Sequence, residues 1–469
     1  MKQIILNEWK MLLRVKALTY LTLFFMVSLI VVTWFGVVQN AQQQEAQREA
    51  QEHVREQWEN IKNMNPHGAA HYGSYAFKPL TPLSSIDEGV NAITGNVLRL
   101  EGHVQNEIAY SEASQSLSMS KFGKLKPALL LQYVIPLFLI FLAFASVSSE
   151  RETGRLKLLV FQGASLAKLI LAKAFSIWIY GLLMLVLTVV IQLVVNLDNT
   201  SPEGLMRVAY LLLSYAAYYY ILTAIVTYFS ARLRSSAASL SAMLALWMLW
   251  TIFLPKIWGN TVDKVYPLPS RQEFKEAMAE DRSKGVDGHN PSDQREEGFR
   301  KQILAKYKVD SISQLPINFT GLLMQADEDY GNQVWDKHFG ENDRILQKQK
   351  SLYQFSGLVN PFASLQGASM GFSGSDMLHH HDFLQQAEQY RRVLIKSLND
   401  KHAYGGSKTG DHSWQPEADF YKSVKDFSYI APAAGKIIGN YLVDVLYLLF
   451  WVALSTFVIL FTSKKIRLI

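Results

Sequence analysis

Apolar residues in this 469-residue chain are gathered into six long runs, separated by polar stretches of very different length. Each run has about 20 residues or more, the length that a helix rising ~1.5 Å per residue needs to cross ~30 Å of hydrocarbon. Four runs hold no charged residue; the third contains Lys173, which we expect to snorkel to the membrane edge, and the sixth contains Asp444. The pattern predicts six membrane-spanning helices, at residues 17–38, 128–147, 169–195, 208–231, 235–254 and 437–462.

Two long polar segments, residues 39–127 and 259–430, interrupt the series of runs. The first opens with Gln-, Glu-, Ala- and Arg-rich sequence that favours helix, so the first span is expected to continue into water. In the second, Gly, Pro, Asn and Asp clusters separate helical stretches at residues 271–283, 292–307, 333–355 and 381–399. The predicted fold class is an all-α integral membrane protein, with six transmembrane helices and a mostly helical extracytoplasmic domain built from the two insertions.

The distribution of charge predicts the orientation of the chain. Its basic pI of about 9.0 would by itself suggest an anionic partner such as nucleic acid. However, Lys and Arg are concentrated in the short segments at residues 1–16, 150–168, 231–235 and 463–469. By the positive-inside rule both termini are then cytoplasmic, and no nucleic-acid partner is expected. The absence of cysteine from domains facing an oxidising compartment favours the bacterial inner membrane, with the chain as a multi-pass protein.

These features divide the chain into five parts. They are an N-terminal interfacial helix with the first span (residues 1–38), the first extracytoplasmic insertion (39–127), the second to fifth spans (128–258), the second insertion (259–430), and the last span with a basic cytoplasmic tail (431–469).

The segment between the second and third spans carries a charged and leucine-rich pattern that no other part of the chain repeats. A helical arrangement would turn its charges toward water and its leucines toward lipid or protein. The pattern resembles that of ABC-2 type permeases, in which E-x-E-x-G-x-L-x-L-L joins the second and third spans on the cytoplasmic side. The matching residues are Glu150, Glu152, Gly154, Leu156, Leu158 and Leu159.

The resemblance implies that a separate motor drives this chain. Residues 150–161, the coupling segment, would dock on an ABC ATPase dimer that holds ATP and Mg²⁺, leaving no cofactor on this chain. A second permease, identical or related, would complete the pathway. The residues that would couple to the ATPase are Glu150, Arg151, Glu152, Gly154, Arg155, Leu156, Leu158 and Leu159.

Two further stretches resemble one subgroup of these permeases, which has large extracytoplasmic insertions of unknown function. They are residues 78–85 with Gly89, and residues 360–362 leading through Gly374 to Phe383 and residues 390–392. One departure is that the turn after the leucines reads Gln162-Gly163-Ala164-Ser165, where many members of the family have a proline. The coupling segment is therefore expected to sit differently on its ATPase.

Two sequence motifs for chemistry on the chain itself are missing. The nucleotide-binding pattern G-x-x-x-x-G-K-[ST] is absent from the sequence, and so is the metalloprotease pattern H-E-x-x-H. We therefore expect a permease subunit that is not an enzyme, with the ATPase activity in a separate partner.

Three residues within the predicted spans have both a functional and a structural interpretation. Asp444 lies about two turns from the outer end of its span, where we expect it to reach water; it either lines a transport pathway or makes a structural hydrogen bond. Tyr218 and Tyr219 of the fourth span either line the same route or pack between helices, and packing is favoured.

Adjacent histidines in the second insertion form a weak candidate for a metal site. Neighbours on a helix point in different directions, so consecutive histidines rarely form one ligand set. A solvated helix start is therefore favoured and no metal is expected at His379, His380 and His381.

The function predicted from these features is that of a transmembrane permease subunit of an ATP-binding cassette transporter. ATP hydrolysis in the partner would drive either substrate export or conformational work in the cell envelope. The expected partners are the ATPase, the second permease, membrane lipids and an extracytoplasmic protein. The alternative is a membrane-anchored scaffold or sensor, whose outer domain binds a partner and whose spans transport nothing.

Overall fold

A computed structural model describes residues 2–105, 125–196, 201–286, 292–411 and 413–463. The predicted all-α membrane fold is confirmed: six helices among these residues are long and apolar enough to cross a membrane. The predicted basic tail lies beyond residue 463, outside the described residues. The six spans are Lys16–Glu59, Pro127–Glu152, Leu166–Val195, Pro202–Arg232, Ser236–Val265 and Ala434–Thr462.

The fourth span lies at the centre of the membrane bundle. It packs against the second, third, fifth and sixth spans, and its tyrosines are mostly buried between them. Most apolar side chains of the first, fifth and sixth spans face outward, which places these three spans at the periphery of the bundle. An N-terminal helix, Lys2–Arg14, packs against the third span, where the Trp9 indole donates to the Ser176 carbonyl at 3.0 Å.

Two of the spans contain one wide helical turn each, which ends two residues before a proline. The wide turns are Leu130–Val134 in the second span and Leu249–Phe253 in the fifth. The second span continues through Pro136. The predicted end of the fifth span at residue 254 is wrong: the wide turn accommodates Pro255 within the helix, which runs on to Val265.

The segment after the first span combines a helix with a small sheet. The first helix has 44 residues and extends beyond the bundle, as predicted from its Gln- and Glu-rich continuation. Short helices Pro66–Tyr72 and Asn91–Thr94 accompany two antiparallel strands, β1 (Ser74–Phe77) and β2 (Val97–Leu100). The sheet was not predicted, because each strand has only four residues.

The segment between the fifth and sixth spans is helical. The predicted helices at residues 271–283 and 292–307 are present, the third begins 14 residues earlier than predicted, at Phe319 rather than 333, and the fourth is longer at both ends. The helix Pro361–Ser373 was not predicted. The helices of this segment are Arg271–Lys284, Ser292–Tyr307, Phe319–Phe355, Pro361–Ser373, Met377–Tyr404 and Ala418–Ser423. Together with the segment after the first span they form the polar domain.

The helix Pro361–Ser373 is inserted among the spans, and we call it the re-entrant helix. It packs against the fourth and sixth spans, and the turn before it accepts a 3.0 Å hydrogen bond from the Trp451 indole at the Gly357 carbonyl. Trp451 lies about 17 Å along its helix from Thr462, at ~1.5 Å per residue. The polar domain thus reaches into the bundle. We call this end of the bundle the domain side, and the opposite end the loop side.

Candidate functional site

The coupling segment consists of two short helices at the loop side, joined by a glycine in a left-handed conformation. The second span ends with Ser148–Glu152, and the next helix is Arg155–Phe161. Gly154 between them has φ +75°, and an added Cβ would meet no atom within 4 Å. The glycine is therefore required by the backbone rather than by packing, and it changes the direction of the chain.

Glu150 belongs to a buried group of charges that joins three elements, which we call the latch. Its Oε1 accepts a 2.9 Å hydrogen bond from Lys173 of the third span, and Lys173 also donates to Glu8 of the N-terminal helix. Lys173 is 1% exposed, so the expectation that it snorkels to water is wrong. Its two carboxylate partners make this burial tolerable. Burial is the largest influence on Glu8 and raises its pKa.

The next two charges tie the coupling segment to the start of the fifth span. Arg151 donates to the backbone carbonyls of Ala231 and Leu233, the latter at 2.5 Å, where the fourth span ends. The Glu152 carboxylate accepts a 2.8 Å hydrogen bond from the Ser236 backbone N–H at the first turn of the fifth span. The expectation that these charges face water is therefore wrong for Glu150 and Arg151, which are half-buried and bonded inward.

The second helix of the coupling segment presents an apolar surface away from the bundle. Leu156 is fully buried in a cluster with Val147 and Ile170 and anchors the helix. By contrast, Leu158 is 62% exposed and Phe161 is 84% exposed. Leu159 is half-buried, and Arg155 is exposed beside them. A rigidly held helix thus carries two large uncovered apolar side chains at the loop side.

Two buried polar clusters at the junction of the bundle and the polar domain were missed by sequence reasoning. In one, Asp87 accepts hydrogen bonds from Gln132 at 3.1 Å and from Ser369 of the re-entrant helix at 2.5 Å. Burial raises the pKa of the Asp87 carboxyl. The only signal in the sequence was that Asp87 lies between Ser85 and Gly89, in a stretch that resembles the permease subgroup.

The second cluster surrounds Asp376, at the start of the helix Met377–Tyr404. Its carboxylate bonds to the His379 imidazole and to the Tyr441 hydroxyl, and His379 lies 3.3 Å from a guanidinium nitrogen of Arg207. Burial alone would raise the pKa of Asp376, but the bond and charge of His379 hold that pKa below its usual range. The cluster connects the polar domain to the fourth and sixth spans.

The three consecutive histidines point in different directions, as expected for neighbours on a helix. His379 faces Asp376, whereas the imidazole of His381 lies 3.1 Å from the Asp343 carboxylate. His380 is 5% exposed, and burial lowers its pKa to about 4. The expected solvated helix start is wrong for His379 and His380, which are both buried.

Asp444, Tyr218 and Tyr219 are all buried in the bundle. Asp444 is 1% exposed, so the expectation that it reaches water is wrong; its carboxylate accepts a 2.6 Å hydrogen bond from Gln354. Tyr219 donates to the Leu131 carbonyl at 2.8 Å, and the Tyr218 ring lies 6.1 Å from that of Phe362. A part in a transport route stays a prediction for all three residues.

The arrangement defines a multi-pass membrane protein with an inserted polar domain and a structured loop at the opposite end of its bundle. Comparison with protein families identifies the class further. Residues 58–258 match the family described as "ABC-2 family transporter protein", and residues 271–430 match "Domain of unknown function (DUF3526)". No curated protein and no solved structure matches the chain. The resemblance to ABC-2 type permeases is thus confirmed by the family match over residues 58–258.

Proposed function

We propose that this chain is the transmembrane subunit of an ATP-driven transporter, and that the coupling segment receives force from a separate ATPase dimer holding ATP and Mg²⁺. The observation that carries the proposal is the pair of exposed side chains Leu158 and Phe161 on a helix anchored by Leu156. Large uncovered apolar groups on a rigid element are typical of contact points for a protein partner. Leu158 belongs to the pattern that resembles ABC-2 type permeases, and Phe161 lies shortly after it. The ATPase is therefore the protein that we propose binds these two side chains.

The bonds of the coupling segment explain how a push on it would spread. Through Glu150 the segment is joined to the third span and the N-terminal helix, and through Arg151 and Glu152 to the fourth and fifth spans. A displacement of this small element would therefore act on several helices at once. Because packed helices move as rigid bodies rather than deforming, the movement would reach the re-entrant helix and the polar domain. The result is either export or mechanical work in the envelope.

The orientation that we propose has both termini in the cytoplasm of a bacterial inner membrane and the polar domain outside. It is supported by the Lys- and Arg-rich short segments. The chain contains no cysteine, so single cysteines can be introduced without removing others. We expect Phe161→Cys to be labelled by a membrane-impermeant maleimide only after the cells are opened, and Ile430→Cys, which is 75% exposed, to be labelled in intact spheroplasts. The reverse pattern would refute the orientation.

We propose further that a second permease, identical or related, covers the face formed by the fifth span and the turn before the re-entrant helix. Phe355 and Val359 of this turn are more than half exposed, and Phe253 of the fifth span is 52% exposed. Irregular backbone at membrane depth is stable only when protein covers it. Two differently tagged copies of the chain would co-purify if the partner is identical, and Phe253→Asp would separate them.

The decisive experiment for the ATPase is co-purification with any ATP-binding subunit that the neighbouring genes encode. Phe161→Asp is expected to reduce recovery of that subunit about tenfold or more, because a central interface side chain contributes ~2 kcal/mol or more. The matched control is Ile430→Asp at another highly exposed apolar residue, in the polar domain, which should leave recovery unchanged. Failure of every such ATPase to bind the unmodified chain would instead favour the scaffold or sensor.

A further inference from the structure

Three histidines from separate parts of the first insertion converge on the surface of the polar domain. His67 and His71 lie on the helix Pro66–Tyr72, and His103 lies on the turn after β2. One ring nitrogen from each lies within 4.8 Å of the others, and the Nε2 atoms of His67 and His71 are 3.2 Å apart. Their rings are packed together, with centroids 4.5 to 5.7 Å apart.

The local structure holds these side chains in place. His67 and His71 are four residues apart, so they share one face of their helix. Asn65 caps the start of that helix, with its side chain accepting from the Gly68 N–H at 2.7 Å. The Gly102 N–H donates to the Ala70 carbonyl at 2.8 Å and ties the turn to the helix. His103 follows at φ +64°, a backbone conformation that is unusual for a non-glycine residue and is often found at functional sites.

A buried carboxylate fixes the orientation of the His103 ring. Glu328 lies 3.2 Å from His103 Nδ1 and also accepts from the His103 backbone N–H. Arg391, itself 1% exposed, donates to the other Glu328 oxygen at 2.9 Å. A carboxylate bonded to Nδ1 leaves Nε2 as the ligand atom, the arrangement that orients histidines in metal sites.

We propose that His67, His71 and His103 bind a divalent transition-metal ion of the imidazole-preferring kind, represented by Zn²⁺. At Zn–N distances of ~2.0–2.1 Å, tetrahedral ligand atoms are about 3.3 Å apart, close to the 3.2 Å between the two helix imidazoles. Three protein ligands leave one coordination position open, and it faces solvent because His71 is exposed. The chain has no cysteine that could compete for the ion.

A metal ion at this position would affect the rest of the polar domain. Its ligands belong to the first insertion, whereas Glu328 belongs to the long helix Phe319–Phe355 of the second. The far end of that helix leads into the turn and the re-entrant helix within the bundle. A bound ion would join the two insertions through His103 and Glu328 and so stiffen the attachment of the long helix.

The test uses the full-length chain in lipid nanodiscs, purified with a tag that contains no histidine. Zn²⁺ is titrated in competition with a chromophoric chelator, and Co²⁺ is added separately to record its visible absorption bands. We expect one equivalent of Zn²⁺ to bind per chain, and His67→Asn/His71→Asn to abolish that binding and the Co²⁺ bands. His53→Asn is the matched control, because His53 is an exposed histidine of the preceding helix; it should retain both.

The role of Glu328 is tested by Glu328→Gln, which should weaken Zn²⁺ affinity about 10- to 100-fold, since removing a partner of a metal-bound histidine has an effect of that size. Circular dichroism and thermal unfolding without metal show whether each variant folds. If Glu328→Gln does not fold, the double histidine variant, whose positions are at the surface, decides the matter. The proposal is overturned if the unmodified chain binds no Zn²⁺, if the double variant retains it, or if His53→Asn loses it equally.

Discussion

The side-chain amide of Asn360 donates a 3.0 Å hydrogen bond to the carbonyl oxygen of Trp250, the acceptor that Pro255 leaves without a backbone donor. In the wide turn of the fifth span each backbone N–H bonds to the carbonyl five residues earlier, as from Leu254 to Leu249. The next donor would be Pro255, which has no N–H. A backbone carbonyl within a bilayer needs a hydrogen-bond partner from the protein, and here the re-entrant segment supplies it.

The second span repeats this relationship with a different partner. Its wide turn ends with the Ile135 N–H bonded to the Leu130 carbonyl. The next donor would be Pro136, which has no N–H, so the Leu131 carbonyl is left without a backbone donor. The Tyr219 hydroxyl donates to it at 2.8 Å. Both prolines of the wide turns are thus compensated by side chains of neighbouring elements, one from the fourth span and one from the polar domain.

Replacing Asn360 should therefore weaken the attachment of the re-entrant helix. Its side chain also caps this helix, because Oδ1 accepts from the Phe362 N–H. Asn360→Ser keeps a capping oxygen but loses the reach to Trp250, and should lower the free energy of unfolding by about 1 kcal/mol. Thermal unfolding in nanodiscs measures the change. Pro255→Ala restores a backbone donor and should remove most of the effect of Asn360→Ser; equal effects in both backgrounds would contradict the account.

Much of the membrane fold could be predicted because the length and apolarity of a span are local properties. The re-entrant helix could not, since 13 residues with several Gly and Ser are too short to span and give no strong periodic signal. Its place depends on contacts between distant segments. At Gly371 of this helix an added Cβ would lie 2.2 Å from the Tyr441 ring of the sixth span. A small residue is needed there because the two helices lie close together, and the sequence alone does not show that contact.

The position of the coupling segment could be predicted from the sequence, but the hydrogen-bond partners of its charged residues could not. The motif located the coupling segment, whereas the partners of its charges are far away in sequence: Lys173 and Glu8 are 165 positions apart. A run of charged residues in the sequence suggests exposure to water. The local sequence does not show that a partner on another helix will bury those charges. The spacing of His67 and His71 was a usable signal for a metal site, but His103 and Glu328 join them only through folding.

The latch should be most sensitive to loss of its single cation. Lys173→Met leaves the buried carboxylates of Glu8 and Glu150 without their counter-charge, and breaking a buried pair in this way costs about 3–5 kcal/mol. We expect a large fall in the thermal unfolding midpoint and loss of coupling to the ATPase. The triple variant Glu8→Gln/Glu150→Gln/Lys173→Met removes all three charges together and should recover most of the stability. A Lys173→Met protein as stable as the unmodified chain would show that the latch is not formed.

The left-handed conformation of Gly154 gives a second test of the coupling segment. Gly154→Ala should cost about 1–2 kcal/mol through the backbone alone, since nothing obstructs the new methyl group. The helix Arg155–Phe161 would relieve that strain by turning, so ATPase binding should fall by more than stability does. Gly163→Ala is the matched control. Gly163 likewise has a positive φ, of +90°, and no atom near an added Cβ, but it lies after the helix Arg155–Phe161 rather than before it. Equal loss of ATPase binding in both variants would argue against a directional role for Gly154.

His380 should make the folded chain sensitive to mild acid. Burial, followed by the nearby charges of Lys78 and His381, lowers its pKa from 6.5 to about 4, so the folded state holds this imidazole neutral. The unfolded chain takes up the proton near pH 6.5, and stability is therefore complete above that pH and lost as the pH falls toward 4. The shift corresponds to about 3 kcal/mol at most. Thermal midpoints measured from pH 8 to 4 should fall less steeply for His380→Gln than for the unmodified chain. His53→Gln, at an exposed position, should keep the unmodified slope; if all three slopes coincide, the imidazole of His380 is not the group that titrates.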